Sequence, residues 1–316
     1  MKPFLALIAL ALPAAGQVKI VTGSEKIAIE IAGKPFTTFY VAGPEVTKPY
    51  LHPLRAASGT YVTRMWPMEN VPEEEGTKKD HRHQRGLWFG HEDVNGVDFW
   101  NNEASYKTPN RGRIVFRKLG AVASGKDEGT LAATFEWTGP GGEALVREDR
   151  VMTFHAGPEL RVVDFDITLT ALRKVTFGDK KDGLFGVRLR PALQEDTGAG
   201  HISNADGLAG EKQVWGKPSD WCDYSGLLGG EALGIAIFDH PENPRHPSRW
   251  HARGYGLFAN NPFGLAVFTG DASQNGSLAL EAGRQLRFRY RVVIHAGDAK
   301  SADVAGLWRE YAAARE

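Results

Sequence analysis

Three long stretches alternate apolar and polar residues with a period of two. In Leu131–Thr138, Leu131, Ala133, Phe135 and Trp137 share one face and Thr134, Glu136 and Thr138 the other. In Arg161–Ala171, Val163, Phe165, Ile167, Leu169 and Ala171 oppose Asp164, Asp166, Thr168 and Thr170. In Leu286–Ile294, Leu286, Phe288, Tyr290, Val292 and Ile294 oppose Arg287, Arg289 and Arg291. Only an extended strand sends such a pattern half to a core and half to water. Ile27–Ile31, Phe36–Val41, Ile114–Leu119, Leu145–Phe154, Leu233–Phe238 and Leu265–Phe268 are shorter strand candidates. Clusters such as Gly139-Pro140-Gly141-Gly142 separate them. One helix is predicted, from about Ser301 to Ala314, with Val304, Leu307, Trp308 and Tyr311 at helical spacing and Ser301 or Asp303 as cap. Strands that do not alternate with helices disfavour a parallel sheet. The pattern predicts an all-β chain, a large antiparallel β-sandwich with one C-terminal helix.

Residues 1–16, MKPFLALIALALPAAG, join a positive end, an apolar run and small residues before Gln17. That is the pattern of a cleavable signal peptide, so the expected domain is 17–316 and the protein is exported, periplasmic or extracellular. A division near the Gly198–Pro218 loop is the alternative to a single domain. No later run is apolar enough for a permanent membrane span. Thirty-eight basic and 38 acidic residues give a formal net charge of zero, which argues against a nucleic-acid partner. The lone cysteine, Cys222, excludes an internal disulfide framework and any multi-cysteine metal site.

Polar and aromatic residues concentrate in two loop-like windows. Asp80–Asn102 holds Asp80, His81, His83, Arg85, Trp88, His91, Glu92, Asp98 and Trp100, and Asp239–Gly264 holds His240, Arg245, Trp250, His251 and Asn260. Six of the ten histidines lie in these windows. Indoles beside amides, carboxylates and guanidiniums suit a sugar, whose C–H face stacks while its hydroxyls take directed hydrogen bonds. Gly178–Arg190 adds Lys181, Asp182 and Arg188, although its alternation is equally that of a solvated strand. Trp221–Gly226 adds Asp223. His81-x-His83 on a strand would put both imidazoles on one face, a metal-ligand geometry. Two known patterns fail, however: Leu87 and Trp88 stand where a cupin glutamate belongs, and Asn95 stands where a zincin needs its second histidine. No cofactor is therefore expected, and a divalent metal on His81, His83 and His91 is the alternative kept open. Nothing local lowers the pKa of Cys222, Ser225 lacks a nucleophile elbow, and no glycine-rich nucleotide loop is present.

The run DHRHQRGLWFGHEDVNGVDFW (Asp80–Trp100) resembles a bacterial family of unknown function labelled "PmoA-like". So do His52–Leu54, Gly178–Gly183, Asp239–Arg245, Trp250–Phe258 and Asn261–Gly264, which together run through most of the chain in order. Gln84 departs from the family, whose members often carry a second consecutive histidine there. The label evokes a methane monooxygenase subunit, an integral membrane protein that this sequence does not fit. The resemblance implies a galactose-mutarotase-like β-sandwich and a sugar-related role, without a settled reaction.

The expected function is cleavage of a glycosidic bond by hydrolysis or by elimination, the latter suited to an oxidised (keto) glycoside. His83 and His91 are the candidate general base and acid, because imidazole titrates near working pH. Asp182 is the alternative acid or base, and Arg85, Lys181 and Arg188 would stabilise an anion. Trp88, Trp100 and Trp250 would stack on sugar, with His251 and Asn260 as hydroxyl partners. His81, Asp98, Asp223, His240 and Arg245 complete the binding candidates. A two-carboxylate glycosidase using Asp98 or Asp182, a non-catalytic glycan-binding protein and a sugar epimerase or mutarotase are the competing readings.

Overall fold

The computed structural model describes residues 17–314. The expected signal peptide, 1–16, lies outside the described residues. Two eight-stranded sheets dominate, and every strand pairs antiparallel with its neighbours. From edge to edge the first runs Val18–Thr22, Lys26–Ile31, Lys34–Tyr40, Tyr50–His52, Leu87–His91, Gly183–Arg188, Leu257–Asn261 and Arg249–Trp250. The second runs His201–Asn204, Trp221–Leu228, Glu231–Asp239, Gln285–Ala296, Arg161–Ala171, Ala144–His155, Glu128–Thr138 and Arg113–Ala123. Val175–Phe177 and Leu278–Leu280 form a small separate ribbon. The three long alternating stretches all fall in the second sheet, where their apolar rows face the first. Stacking of Phe185 on Tyr290, at 4.5 Å, joins the two layers.

Among the described residues the C-terminal helix spans Val304–Ala313, and the Asp303 side chain caps it by accepting from the Gly306 N–H. Two shorter helices, Glu211–Val214 and Leu265–Thr269, also occur. Leu265–Thr269 corrects the strand expected at Leu265–Phe268. Its start is held by the Asp179 carboxylate, which accepts from the Ala266 and Gly276 N–H groups. A four-residue apolar run has too few positions for period to tell strand from helix. The two loop-like windows also contain three strands of the first sheet, Leu87–His91, Arg249–Trp250 and Leu257–Asn261.

One charged group crosses the core. Glu148 and Arg150 occupy successive inward positions of their strand, 0 % and 3 % exposed. The Arg150 Nε–H donates to Glu148 at 2.8 Å, and the Trp137 indole donates to the other carboxylate oxygen at 2.8 Å. The guanidinium lies over Phe135 of its own sheet and Phe39 and Phe89 of the first. Arg150→Met leaves Glu148 charged and short of its partner, so it should cost about 3–5 kcal/mol in urea unfolding. Adding Glu148→Leu should recover most of that loss; equal instability of the single and double variants would refute the pairing.

Candidate functional site

Strand parity selects the working face. In Leu87–His91, Leu87 and Phe89 join the core between the sheets, and Trp88 points the other way. On that outer face Trp88 packs with Tyr50, Trp100, Leu257 and Ala259. Tyr50 and Gly186 are its cross-strand partners. A Cβ at Gly186 would sit 2.7 Å from the Trp100 ring, so glycine there lets the indoles lie on the sheet. The two rings stand 4.9 Å apart at 57°. Both are fully buried, and neither indole N–H has an acceptor among the described residues, so the expected stacking platforms Trp88 and Trp100 offer no open ring face to a sugar.

The loop before this strand carries the imidazoles. Arg64, 2 % exposed, donates to the carbonyls of Asp80 at 2.9 Å, His81 at 3.0 Å and Gln84 at 3.2 Å, which fixes the turn. Arg188 reaches in from the neighbouring strand to the Asp80 carboxylate at 3.1 Å and to the Gln84 side chain. Tyr255 stacks on His81 at 5.0 Å and lies under the Arg188 guanidinium at 4.6 Å. The Asp80 carboxyl is held low despite the opposing effect of burial, by hydrogen bonds from His81 and Lys78 and by the charge of Arg188. His83 is 4 % exposed, with Nδ1 3.1 Å from the Tyr106 hydroxyl. Burial, then the charges of Lys48, His81, Arg64 and Arg188, push its pKa well below the usual imidazole range. At neutral pH His83 is an uncharged base among cations.

Lys48 is the main residue that sequence reading missed. It is 1 % exposed, and its ammonium donates to the Trp100 carbonyl and to the Asn102 side chain, both at 2.8 Å. Burial brings its pKa down to about 7, against the opposing pull of Glu103 and Asp98. Glu103, also missed, holds Arg85 through both carboxylate oxygens at 2.5 and 3.0 Å. Further along the same face stands a carboxylate group. Burial first, then Asp182 and Asp98, raise the Glu92 carboxyl; burial raises Asp98, against hydrogen bonds from the Asn101 and Trp100 N–H groups. Asp182 accepts from Lys181 at 2.9 Å and lies 3.4 Å from His251, whose own pKa burial lowers to about 4. Asp182 and Arg188 are six residues apart, or roughly 20 Å of extended chain. The outer face thus has a cationic end around His83 and an acidic end around Glu92, with the indole pair between.

Residues 26–309 match the model of a family of unknown function, DUF6807. The chain belongs to that family. No curated protein matches the DUF6807 chain in sequence. Among solved structures it is similar to a galactose mutarotase-like protein from Clostridium acetobutylicum, at 9 % identity and TM-score 0.44, over 88 % of this chain and 98 % of that one. A galactose mutarotase-like protein from Lactobacillus casei gives 9 % and 0.40, over 88 % and 100 %. The alpha-galactosidase of Lactobacillus brevis gives 8 % and 0.42, over 92 % of this chain, which spans only 41 % of that enzyme's length.

Several expected site residues of the DUF6807 chain lie elsewhere. His91 shares the parity of Leu87 and Phe89 and so faces inward. It sits between Phe177 and Phe263, bonds through Nε2 to the Gly178 carbonyl at 2.8 Å, and is lowered by burial to about 4. It cannot partner His83. Trp250 and Asn260 pair across strands and also face the core; the Trp250 indole donates to the Ser219 carbonyl at 2.8 Å. Trp250 is thus no stacking platform, and Asn260 no hydroxyl partner on the outer face. Asp223 is buried on the second sheet's own outer side, paired with His295 at 2.8 Å. His240 packs edge-on against Tyr311 of the C-terminal helix. Arg245 is spent on the carbonyls of Pro262 and Ser277, both at 3.0 Å, and of Gly276. Lys181 serves the acidic end and not His83. His81 and His83 stand edge to face at 5.9 Å, but in a turn and without His91, so the three do not converge as metal ligands. Among the described residues no group of three or more His, Cys, Asp or Glu could hold a metal ion.

Proposed function

We propose that this protein is an exported carbohydrate-active enzyme that cleaves a glycosidic bond by elimination, acting on an oxidised (keto) glycoside. The observation that carries this reading is His83, a neutral imidazole surrounded by Lys48, His81, Arg64 and Arg188. A base must be unprotonated to accept a proton, and cations beside it stabilise the anion that forms. The free ring nitrogen, Nε2, takes the proton from the carbon next to the carbonyl. The C–H electrons move to the carbonyl oxygen, giving an enolate held by the neighbouring cations. The enolate re-forms the carbonyl, a carbon–carbon double bond appears, and the bond to the glycosidic oxygen breaks. The imidazolium returns its proton to that oxygen, so an enone and an alcohol leave and nothing else is consumed. The sequence likeness to PmoA-labelled proteins and the N-terminal export pattern agree with a sugar-related role outside the cytoplasm.

Hydrolysis is the second reading, and Glu92 favours it: a carboxyl raised by burial and by Asp182 and Asp98 is suited to protonate a leaving oxygen. The test offers the chain from Gln17 onward keto-glycosides and ordinary glycosides. Release of the alcohol with an ultraviolet-absorbing enone is expected. Release of the alcohol with a reducing sugar and no enone, lost with Glu92→Gln but not His83→Gln, would establish hydrolysis instead; no release from either class would overturn both.

A further inference from the structure

Beside the His83 loop, on the outer face of the first sheet, lies a cleft of about 410 Å³, within the size range of small-molecule sites. Its floor is Tyr40 stacked on Tyr50, with ring centres 4.9 Å apart and planes within 12°. Tyr50 is buried and Tyr40 half-buried, so one tyrosine supports the other, and the ammonium of Lys26, on the flexible end of its side chain, lies over the Tyr40 ring at 5.0 Å. Pro67 and Met68 form an apolar wall, and Arg82 and Arg85, which flank His83 in the chain, also line the cleft. Arg85 is fixed by Glu103, and its other neighbour, Glu45 at 3.4 Å, belongs to the rim. Glu69 also stands at the rim and acts on the Tyr40 hydroxyl.

We infer that this cleft is the subsite for the leaving group, and that the leaving group is itself a sugar ring. The inference rests on the elimination reading for what happens next door, but the cleft has its own evidence. A half-exposed aromatic floor suits the C–H face of a pyranose, and guanidiniums and carboxylates at the rim suit its hydroxyls. Continuity sets the direction. Arg82 and Arg85 flank His83 in the chain, and Tyr50 is the cross-strand partner of Trp88. A substrate with its reacting carbon at His83 therefore extends toward Tyr40. The substrate is then at least a disaccharide, and the alcohol released is a sugar.

The test compares a methyl keto-glucoside with a keto-disaccharide as substrates of the wild type, Tyr40→Ala and Tyr40→Phe. Tyr40→Ala should raise KM about fivefold for the disaccharide and leave the methyl glycoside unchanged, with thermal unfolding showing that the variant is folded. Tyr40→Phe keeps the ring and should behave as wild type. Equal KM values for wild type and Tyr40→Ala on the disaccharide, or equal losses on both substrates, would overturn the subsite. If the wild type turns over neither compound, the elimination reading fails and calorimetric binding of cellobiose decides the cleft. Binding weakened by Tyr40→Ala supports it, and no binding sinks it.

Discussion

Replacing His83 by alanine should lower turnover of a keto-glycoside by about 10²–10⁴-fold, the usual contribution of a positioned general base. The loss should appear in kcat, because His83 is read as acting on the proton in flight and not as an anchor for the sugar. His83→Gln keeps a polar group near the Tyr106 hydroxyl and should be equally inactive, which separates lost chemistry from lost packing. The pH profile gives a second readout. His83 is held well below the ordinary imidazole range, so the acid limb of kcat/KM should lie well under pH 6.5. If the Lys48 ammonium helps hold the enolate, activity should fall as pH rises through about 7, where that lysine loses its proton. Lys48→Arg should move this alkaline limb upward. A profile that falls on acidification through pH 6.5, or a His83→Gln variant within tenfold of wild type, would remove His83 as the base.

Acid should unfold this protein unusually steeply. Burial lowers His52 to about 3, His91 and His251 to about 4, and His83 well below its ordinary value of 6.5. Each is depressed in the folded chain, so below pH 6.5 the unfolded chain binds protons that the folded chain refuses. Stability then falls with falling pH, by about 1.4 kcal/mol per pH unit for each group until the folded form also protonates. Four such groups give about 5.6 kcal/mol per unit as an upper bound, against a typical total of about 5–15 kcal/mol. His246 and His295, paired with Asp239 and Asp223, are raised above 6.5 despite burial. Both are protonated in either state below that pH, so they add no slope there; their contribution is lost only as pH rises through their folded values. Urea midpoints at pH 7.5, 6 and 5 should drop sharply over the last step. Neither His52 ring nitrogen has a partner among the described residues, so His52→Leu should remove about a quarter of the slope. A midpoint flat between pH 7 and 5 would contradict the buried neutral state of all four.

The strands were legible because burial imposes parity. The three long alternating stretches and the C-terminal helix appear where the pattern predicts them, with Gln285–Ala296 only slightly longer than read. The same rule, applied to Leu87–His91, would have separated His91 from Trp88. A histidine-rich window was instead read as a loop, within which parity says nothing. Trp250 and Asn260 were misread for the same reason, since they sit in short strands hidden among Gly, Pro and Asn residues. Lys48 could not be found from sequence. A lone lysine in TKPY looks solvated, and only the folding of Trp100 and Asn102 over it takes it out of water. Arg64 was equally silent, because its role is to grip carbonyls that come near it only after the turn forms.

The central strands of the first sheet carry core on one side and candidate site on the other, with no layer between. Inserting or deleting one residue within Leu87–His91 would exchange Trp88 with Phe89 and wreck both faces at once. Homologues can therefore differ in length only beyond the strand ends, in the segments that bear His83 and Glu92. Changes of substrate in this lineage should accumulate as rewritten loop tips around an unvarying ribbon.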